Sequence, residues 1–227
     1  MKNYHTVAFD LDGTLTDPKR GLTSAFAYGL RKVGVKFDSV ESLKKFIGPP
    51  LRDSFRDEYG LSEECADDAL MLFREYFGVY GWWDNELYPG IHELLSSLKA
   101  AGKTLVLATS KPEVYSSKIL KLFGLSDYLD FAEGASFDSS REKKCDVLDY
   151  ALSKVGIVTP EEKQGVVLVG DTRFDIEGAV ICGVDSIGVT YGYGNEDELL
   201  REGATYIAKD VKEIGEILLG FASQTSD

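Results

Sequence analysis

Four short runs of apolar residues constrain the fold of this chain more than any other feature of its sequence. They are residues 6–9 (TVAF), 104–108 (TLVLA), 166–169 (VVLV) and 186–189 (SIGV). The runs are rich in Val, Leu and Ile and do not alternate with polar residues, as expected of strands that are covered on both faces. Both faces of a sheet are usually covered in parallel α/β proteins.

Helical patterns separate these runs along the chain. Residues 91–101 form one such pattern, which ends at Gly102, and residues 143–155 form another, which ends at Gly156. A third pattern, residues 113–123, follows Pro112 and stops before a glycine, and glycine is the common residue just past a helix end. The β-α-β-α order predicts an α/β fold with a doubly wound, Rossmann-like parallel sheet.

The stretch after the first strand contains no convincing strand pattern. Apolar residues recur at helical spacing from Leu22 to Val33, and further helices are predicted at residues 39–46, 51–59 and 63–79. We therefore predict an α/β core made of residues 1–17 and 86–227, and an inserted all-helical domain made of residues 18–85.

Charge and cysteine content exclude several classes of partner. The formal net charge is −13 for 227 residues, which disfavours nucleic acid and anionic membranes as partners. The three cysteines are scattered without a paired motif, so neither a zinc site nor a disulfide framework is expected. No apolar run is long enough to span a bilayer, and no signal peptide is visible, so a cytoplasmic protein is expected.

Acidic pairs follow two of the predicted strands. Asp10 and Asp12 come after the first strand, with Gly13 allowing a tight turn, and Asp171 and Asp175 follow the strand at 166–169. Ligands of open α/β sheets bind at the carboxyl ends of the strands. Carboxylates without His or Cys suit magnesium, so Mg²⁺ is the expected cofactor if these strands are neighbours.

Polar residues also follow the strand at 104–108. Thr109, Ser110 and Lys111 come immediately before a helix, where hydroxyl groups, a cation and a helix N-terminus together favour an anion. Lys143 and Lys144 lie at the start of another predicted helix, where cations oppose the helix dipole, and this indicates a functional reason for them.

These motifs, taken in order, resemble those of the haloacid dehalogenase-like hydrolase superfamily. The sequence DxDGT (residues 10–14) is followed by a strand-end Thr109, a lysine and GDxxxD (residues 170–175). The likeness covers about residues 6–218 and is greatest to the branch that resembles phosphoglycolate phosphatases and 5′-nucleotidases. The helical insert resembles the small cap domain of that superfamily and, as a cap, would close over the site. A plain stabilising subdomain is the alternative.

The resemblance implies a role for each motif residue. Asp10 would be the nucleophile that forms an aspartyl phosphate, and Asp12 the general acid and base, whose backbone carbonyl would also bind the metal. Thr109 would bind phosphate and Lys144, favoured over Lys143 by its spacing, would neutralise charge on Asp10. The implied metal ligands are Asp10, Asp12, Asp171 and Asp175, of which Asp175 is either a ligand, a support for one or a cap of the following helix. The predicted substrate-binding residues in the core are Gly13, Thr14, Ser110 and Lys111. Arg52, in the helical insert, is either a residue that binds a substrate carboxylate or second phosphate, or a surface residue of a helix. Many relatives carry Asn at the position of Ser110, so local geometry at that position can differ.

The function implied is a magnesium-dependent phosphatase acting on a small phosphorylated metabolite, either phosphoglycolate-like or a nucleoside monophosphate. A sugar phosphomutase of the same superfamily is an alternative, since the core motifs do not exclude it. Carbon–halogen hydrolysis ranks lower because that branch lacks the second aspartate, here Asp12, and a non-catalytic binding protein is a further alternative. A monomer or a homodimer is expected.

Overall fold

A computed structural model describes residues 2–136, 141 and 143–220 of the chain. Its main sheet has five parallel strands in the order β4-β1-β5-β6-β7. The strands are β1 (Thr6–Phe9), β4 (Thr104–Leu107), β5 (Val166–Gly170), β6 (Asp185–Val189) and β7 (Tyr206–Ala208). Two-residue strands, β2 (Thr16–Asp17) and β3 (Glu86–Leu87), form a separate small sheet. The predicted α/β fold with a parallel sheet is confirmed.

Helices make up most of the remaining described chain. They are α1 (Lys19–Lys32), α2 (Leu51–Tyr59), α3 (Glu63–Tyr76), α4 (Ile91–Ala100), α5 (Glu113–Leu122), α6 (Lys144–Lys154), α7 (Pro160–Lys163), α8 (Arg173–Cys182), α9 (Glu196–Arg201) and α10 (Val211–Leu219). Helices α6 and α8 pack against each other, and α4 packs against α10.

Buried hydrophobic residues cover both faces of the main sheet. Ala8 of β1 clusters with Leu168 of β5 and with Leu148 and Ala179 of α6 and α8. Val7, its neighbour along the strand, points to the opposite face and is also fully buried. Two covered faces explain why these strands read as continuous apolar runs rather than as alternating patterns.

The chain divides into two compact units. One comprises the residues up to Thr16 together with those from Leu87 onward, and the other comprises Asp17–Glu86. Between the short strands at its two ends, the second unit contains only helices and their connections. Its helices pack around the fully buried ring of Phe26. That ring lies 4.8–5.2 Å, between centroids, from three further aromatic rings: Phe46, Phe55 and Phe73.

Several elements differ from the sequence-based expectations. The predicted helix at 39–46 is a 3₁₀-helix, Glu41–Phe46, and the helix that begins at Glu63 becomes a π-helix at Phe77–Gly81. The backbones of Gly21 and Gly81 approach so closely there that a side chain on Gly21 would collide with the Gly81 carbonyl. Strand β7 has three residues, only one of them fully buried, so it leaves no long apolar run in the sequence.

None of the helices in the described portion of the chain is both long enough and apolar enough to cross a membrane.

Candidate active site

The sheet brings three of the predicted motifs to one edge. Strand β1 lies between β4 and β5, and Phe9 is in register with Leu107 and Val169. Asp10, Thr109 and Asp171 therefore follow neighbouring strands at their carboxyl ends, and all three are buried. The sequence alone could not fix this adjacency, because it depends on the order of the strands.

Lys144, the first residue of α6, lies among the carboxylates. Its Nζ donates to Oδ1 of Asp10 at 2.5 Å and to the carbonyl oxygen of Ala108 at 2.8 Å, and it lies 2.8 Å from Oδ1 of Asp175. Lys143 immediately precedes the helix and is exposed. Of the two adjacent lysines, Lys144 is the one whose ammonium group reaches Asp10.

Three buried carboxylates form a group that can hold a metal ion. One oxygen from each of Asp10, Asp171 and Asp175 lies within 4.8 Å of the others. Lys144 contributes a single positive charge to these three acidic groups. A divalent cation would supply the missing positive charge, and a set made only of oxygen ligands suits a hard cation.

The pKa values of the cluster reflect its burial. Burial raises the pKa of Asp10 to about 6, against the opposing effect of the Lys144 ammonium group. Burial, together with the charges of Asp175 and Asp10, raises the pKa of Asp171 well above its ordinary value. Burial lowers the pKa of Lys144, but the two carboxylates it touches outweigh this and raise its pKa above the ordinary value. Lys144 is therefore charged at neutral pH.

Asp175 has two partners, one for each carboxylate oxygen. Its Oδ2 accepts hydrogen bonds from the backbone N–H and the hydroxyl of Thr172, at 3.0 and 2.9 Å, and so caps α8. Its Oδ1 is the oxygen that faces Lys144. Helix capping and membership of the carboxylate cluster are compatible here, because the capping bonds fix the orientation of the second oxygen.

The side chain of Asp12 lies apart from the carboxylate cluster. Its Oδ2 pairs with Nζ of Lys111 at 2.5 Å, and its Oδ1 accepts no hydrogen bond from any described residue. Lys111 is buried and its N–H donates to the hydroxyl of Thr109 at 3.2 Å, whereas Ser110 is exposed. Each aspartate of the DxDGT motif therefore has a lysine partner. The resemblance implied the pair of Lys144 with Asp10, whereas the pair of Lys111 with Asp12 was not predicted from the sequence.

The remaining predicted residues occupy different surroundings. Gly13 has a φ of 83°, in the left-handed region, and a side chain there would collide with the carboxylate of Asp171. The buried hydroxyl of Thr14 lies 3.5 Å from Oδ1 of Asp171. Arg52 lies in the second unit, where its guanidinium pairs with Glu63 and Asp67, each at 2.5 Å. Its predicted contact with substrate stays a prediction.

Some residues that shape the site were missed by sequence reasoning. A side chain on Gly178 of α8 would come within 2.5 Å of Cγ of Lys144, so this glycine leaves room for the lysine. The backbone N–H of Tyr193 donates to Oδ2 of Asp171 at 2.8 Å. The glycine-rich sequence YGYG at residues 191–194 is a visible signal for a close backbone approach, but it does not identify its partner.

Comparison with known proteins identifies the family of the chain. Residues 7–189 match the family described as haloacid dehalogenase-like hydrolase, and the chain belongs to that family. A crystal structure of a predicted phosphatase from Clostridium acetobutylicum has a TM-score of 0.89 and 41% identity, with 97% of this chain and 100% of that chain covered.

Relatives of the chain carry several names. A 5′-nucleotidase from Pseudomonas aeruginosa is 36% identical, over 95% of this chain and 96% of its own length. A phosphoglycolate phosphatase from Vibrio vulnificus is 32% identical, over 94% of this chain and 95% of its own length. The protein named tyrosine-protein kinase PtkA from Mycobacterium tuberculosis is 37% identical, over 93% of this chain and 72% of its own length. The expected enzyme class, a hydrolase of the phosphatase type, is confirmed.

Proposed function

We propose that this chain is a magnesium-dependent phosphatase that hydrolyses a small phosphomonoester through an aspartyl phosphate on Asp10. The observation that carries the proposal is the group of three buried carboxylates, Asp10, Asp171 and Asp175, with Lys144 in contact with two of them. A nucleophilic carboxylate must approach an anionic phosphate, and this requires concentrated positive charge nearby.

Magnesium fits this set of ligands. Asp10, Asp171 and Asp175 would hold the ion through carboxylate oxygens, and the backbone carbonyl of Asp12 is a further expected ligand. When bound, Mg²⁺ reduces the repulsion between the Asp10 carboxylate and the substrate phosphate. Lys144 adds a fixed positive charge at Asp10 and, since it is held at 2.8 Å from the Ala108 carbonyl, its ammonium group is oriented before substrate arrives.

The chemistry assigned to the chain has two steps. A carboxylate oxygen of Asp10 attacks phosphorus and the bond from phosphorus to the ester oxygen breaks. Asp12 gives its proton to that departing alkoxide oxygen, which leaves as the alcohol. Water then attacks the phosphorus of the aspartyl phosphate while Asp12 accepts a proton from that water. The bond between phosphorus and Asp10 breaks, so that inorganic phosphate leaves and Asp10 is regenerated.

The substrate class proposed is a small organic phosphate, either a nucleoside 5′-monophosphate or a phosphoglycolate-like acid. The names of the relatives from Pseudomonas aeruginosa and Vibrio vulnificus support these two candidates. Thr109, Thr14 and Lys111 are the residues proposed to bind the phosphate. The negative charge of the chain supports a metabolite rather than a nucleic acid as substrate.

The test is release of inorganic phosphate from a panel of phosphorylated metabolites, with Mg²⁺ and with a chelator. The panel contains nucleoside 5′-monophosphates, 2-phosphoglycolate and sugar phosphates. We expect release that requires Mg²⁺ and is concentrated on one class, and we expect Asp10→Asn to abolish it while the protein remains folded. Equal release by Asp10→Asn, or release unaffected by the chelator, would contradict the proposal.

A further inference from the structure

The segment that follows strand β6, residues 191–194 (YGYG), contacts Asp171 and the loop after β1 through its backbone and one hydroxyl group. We propose that this 191–194 segment is a positioning element that fixes the carboxylate of Asp171 for metal binding. The inference rests on the proposed function, because it assumes that Asp171 is a metal ligand. It goes beyond that function, since neither the motifs nor the charges of the site assign a role to this segment.

The backbone of the segment encloses Asp171 on two sides. A side chain on Gly192 would collide with Cβ and Oδ2 of Asp171 and would lie 2.5 Å from the carbonyl oxygen of Gly13. A side chain on Gly194 would collide with the carbonyl oxygen of Asp171. Only glycine allows the backbone to come this close, and the absence of free space restricts the rotamers that Asp171 can adopt.

Polar contacts further restrict the orientation of the Asp171 carboxylate. The N–H of Tyr193 donates to Oδ2 of Asp171 at 2.8 Å, and the hydroxyl of Thr14 lies 3.5 Å from Oδ1. Each carboxylate oxygen therefore has a neighbour that sets its direction. Removing a hydrogen-bond partner that orients a metal-binding side chain commonly lowers metal affinity by roughly 10-fold to 100-fold.

Tyr191 connects the segment to the loop that carries the nucleophile. Its hydroxyl donates to the carbonyl oxygen of Thr14 at 2.7 Å, and its ring packs edge-on against Tyr88 with 4.8 Å between centroids. Thr14 is in turn the residue beside Oδ1 of Asp171. One hydrogen bond thus holds two loops together around a single carboxylate, and Tyr191 acts as a positioning residue through Thr14 rather than by touching substrate.

The experiment measures binding of Mg²⁺ to the substrate-free protein by isothermal titration calorimetry. Tyr191→Phe removes the hydroxyl group and keeps the ring that packs on Tyr88. Gly192→Ala adds the methyl group that would collide with Asp171. The matched controls are Tyr206→Phe and Gly215→Ala, because Tyr206 packs on Tyr4 and a methyl group on Gly215 would meet only Leu94, at an ordinary 3.5 Å.

We expect Tyr191→Phe to weaken Mg²⁺ binding by about tenfold and Gly192→Ala by about 100-fold, with both controls within about twofold of the unmodified protein. At saturating Mg²⁺, the turnover of Tyr191→Phe should approach that of the unmodified protein with the substrate KM unchanged. A general loss of structure would not be rescued by metal in this way.

The outcomes separate the inference from the proposed function. If the unmodified protein binds Mg²⁺ and Tyr191→Phe binds it equally well, the positioning role is wrong while the phosphatase proposal stands. If the unmodified protein binds no Mg²⁺, the metal-dependent function and the inference both fail. Should Gly192→Ala not fold, the result with Tyr191→Phe, which retains the ring packing, still decides.

Discussion

Lys144 Nζ and Asp10 Oδ1 lie 2.5 Å apart although 134 residues separate them in the sequence, and both side chains are almost completely buried. A buried pair of this kind is costly to break, because removing one partner leaves an uncompensated charge. The same contact sets the electrostatics at the proposed nucleophile, so it is the first place to test.

The adjacent lysines offer a matched pair of substitutions. Lys144→Gln removes the charge in contact with Asp10 and Asp175, and we expect phosphate release to fall by about 10²–10³-fold, as when one preorganised donor is lost from an active site. Lys143→Gln alters an exposed residue, and its activity should stay within about twofold. Similar losses in both variants, measured by initial rates at saturating Mg²⁺, would show that Lys144 has no special role.

The affinity for Mg²⁺ should fall as the pH is lowered from 7 to 5. The pKa of Asp10 is raised to about 6 by its burial, so the metal-free protein carries a proton on this carboxyl below that pH. The proton must leave before the metal binds, which costs about tenfold in affinity per pH unit below 6. Calorimetric titrations at several pH values check this, and the dependence should be weaker in Asp10→Asn; a constant affinity across the range would contradict it.

Gly178 provides a test of the space that Lys144 needs. A methyl group at Gly178→Ala would come within 2.5 Å of Cγ and 2.9 Å of Cβ of Lys144, so the start of α6 must shift, and we expect turnover to fall by at least about tenfold. The added methyl group of Gly215→Ala, in α10, would make only an ordinary contact. We expect the free energy of unfolding of this variant to rise by about 0.5–1 kcal/mol, as is typical of Gly→Ala in a helix. Unchanged turnover in Gly178→Ala would show that the lysine tolerates displacement.

Lys111 and Ser110 are both predicted to bind substrate, but their surroundings differ. Lys111 is buried and pairs with Asp12, whereas Ser110 is exposed. We expect Lys111→Gln to lower kcat/KM by about tenfold or more, since a buried cation beside the proposed general acid is lost, and Ser110→Ala to change it by less than about threefold. A larger effect from Ser110→Ala, in steady-state kinetics on the preferred substrate, would reverse this ranking.

Packing in the helical unit can be tested separately. The ring of Phe26 is fully buried among Phe46, Phe55 and Phe73, and we expect Phe26→Ala to destabilise the protein by about 3–5 kcal/mol. Met71, on α3, is 62% exposed, and Met71→Ala should change stability by less than about 0.5 kcal/mol. Urea unfolding monitored by circular dichroism measures both. A loss below about 1 kcal/mol in Phe26→Ala would show that the cluster repacks.

Prediction from sequence succeeded where a residue's surroundings are set by its near neighbours. Strand β1 was predicted with its observed limits, and β4 to within one residue, because strands covered on both faces leave unbroken apolar runs. It was less accurate where distant groups decide the structure. The π-helix at Phe77–Gly81 accompanies a close approach to Gly21, which is more than 50 residues earlier in the sequence, and short-range patterns do not contain this information.

The candidate site shows the same division. Asp10, Asp12, Asp171 and Asp175 could be named from the sequence, because they form two acidic pairs that begin immediately after strands visible in the sequence. Their distances could not be predicted, since these depend on β1 lying between β4 and β5. The spacing of the motifs favoured Lys144 over Lys143. Only the tertiary structure shows that the ammonium group of Lys144 reaches both Asp10 and Asp175.

By itself the sequence therefore determined the class of fold, the order along the chain of strands β1, β4, β5 and β6 and of helices α1 to α6, and the acidic residues that follow two of those strands. Hydrophobic periodicity and strand-end chemistry are local properties of the sequence. The tertiary structure alone decided that Lys111 pairs with Asp12, that the side chain of Asp12 lies apart from the other three carboxylates, and that residues 191–194 enclose Asp171. These relationships join groups far apart in the chain, and their close packing is fixed only when the sheet and its loops have assembled.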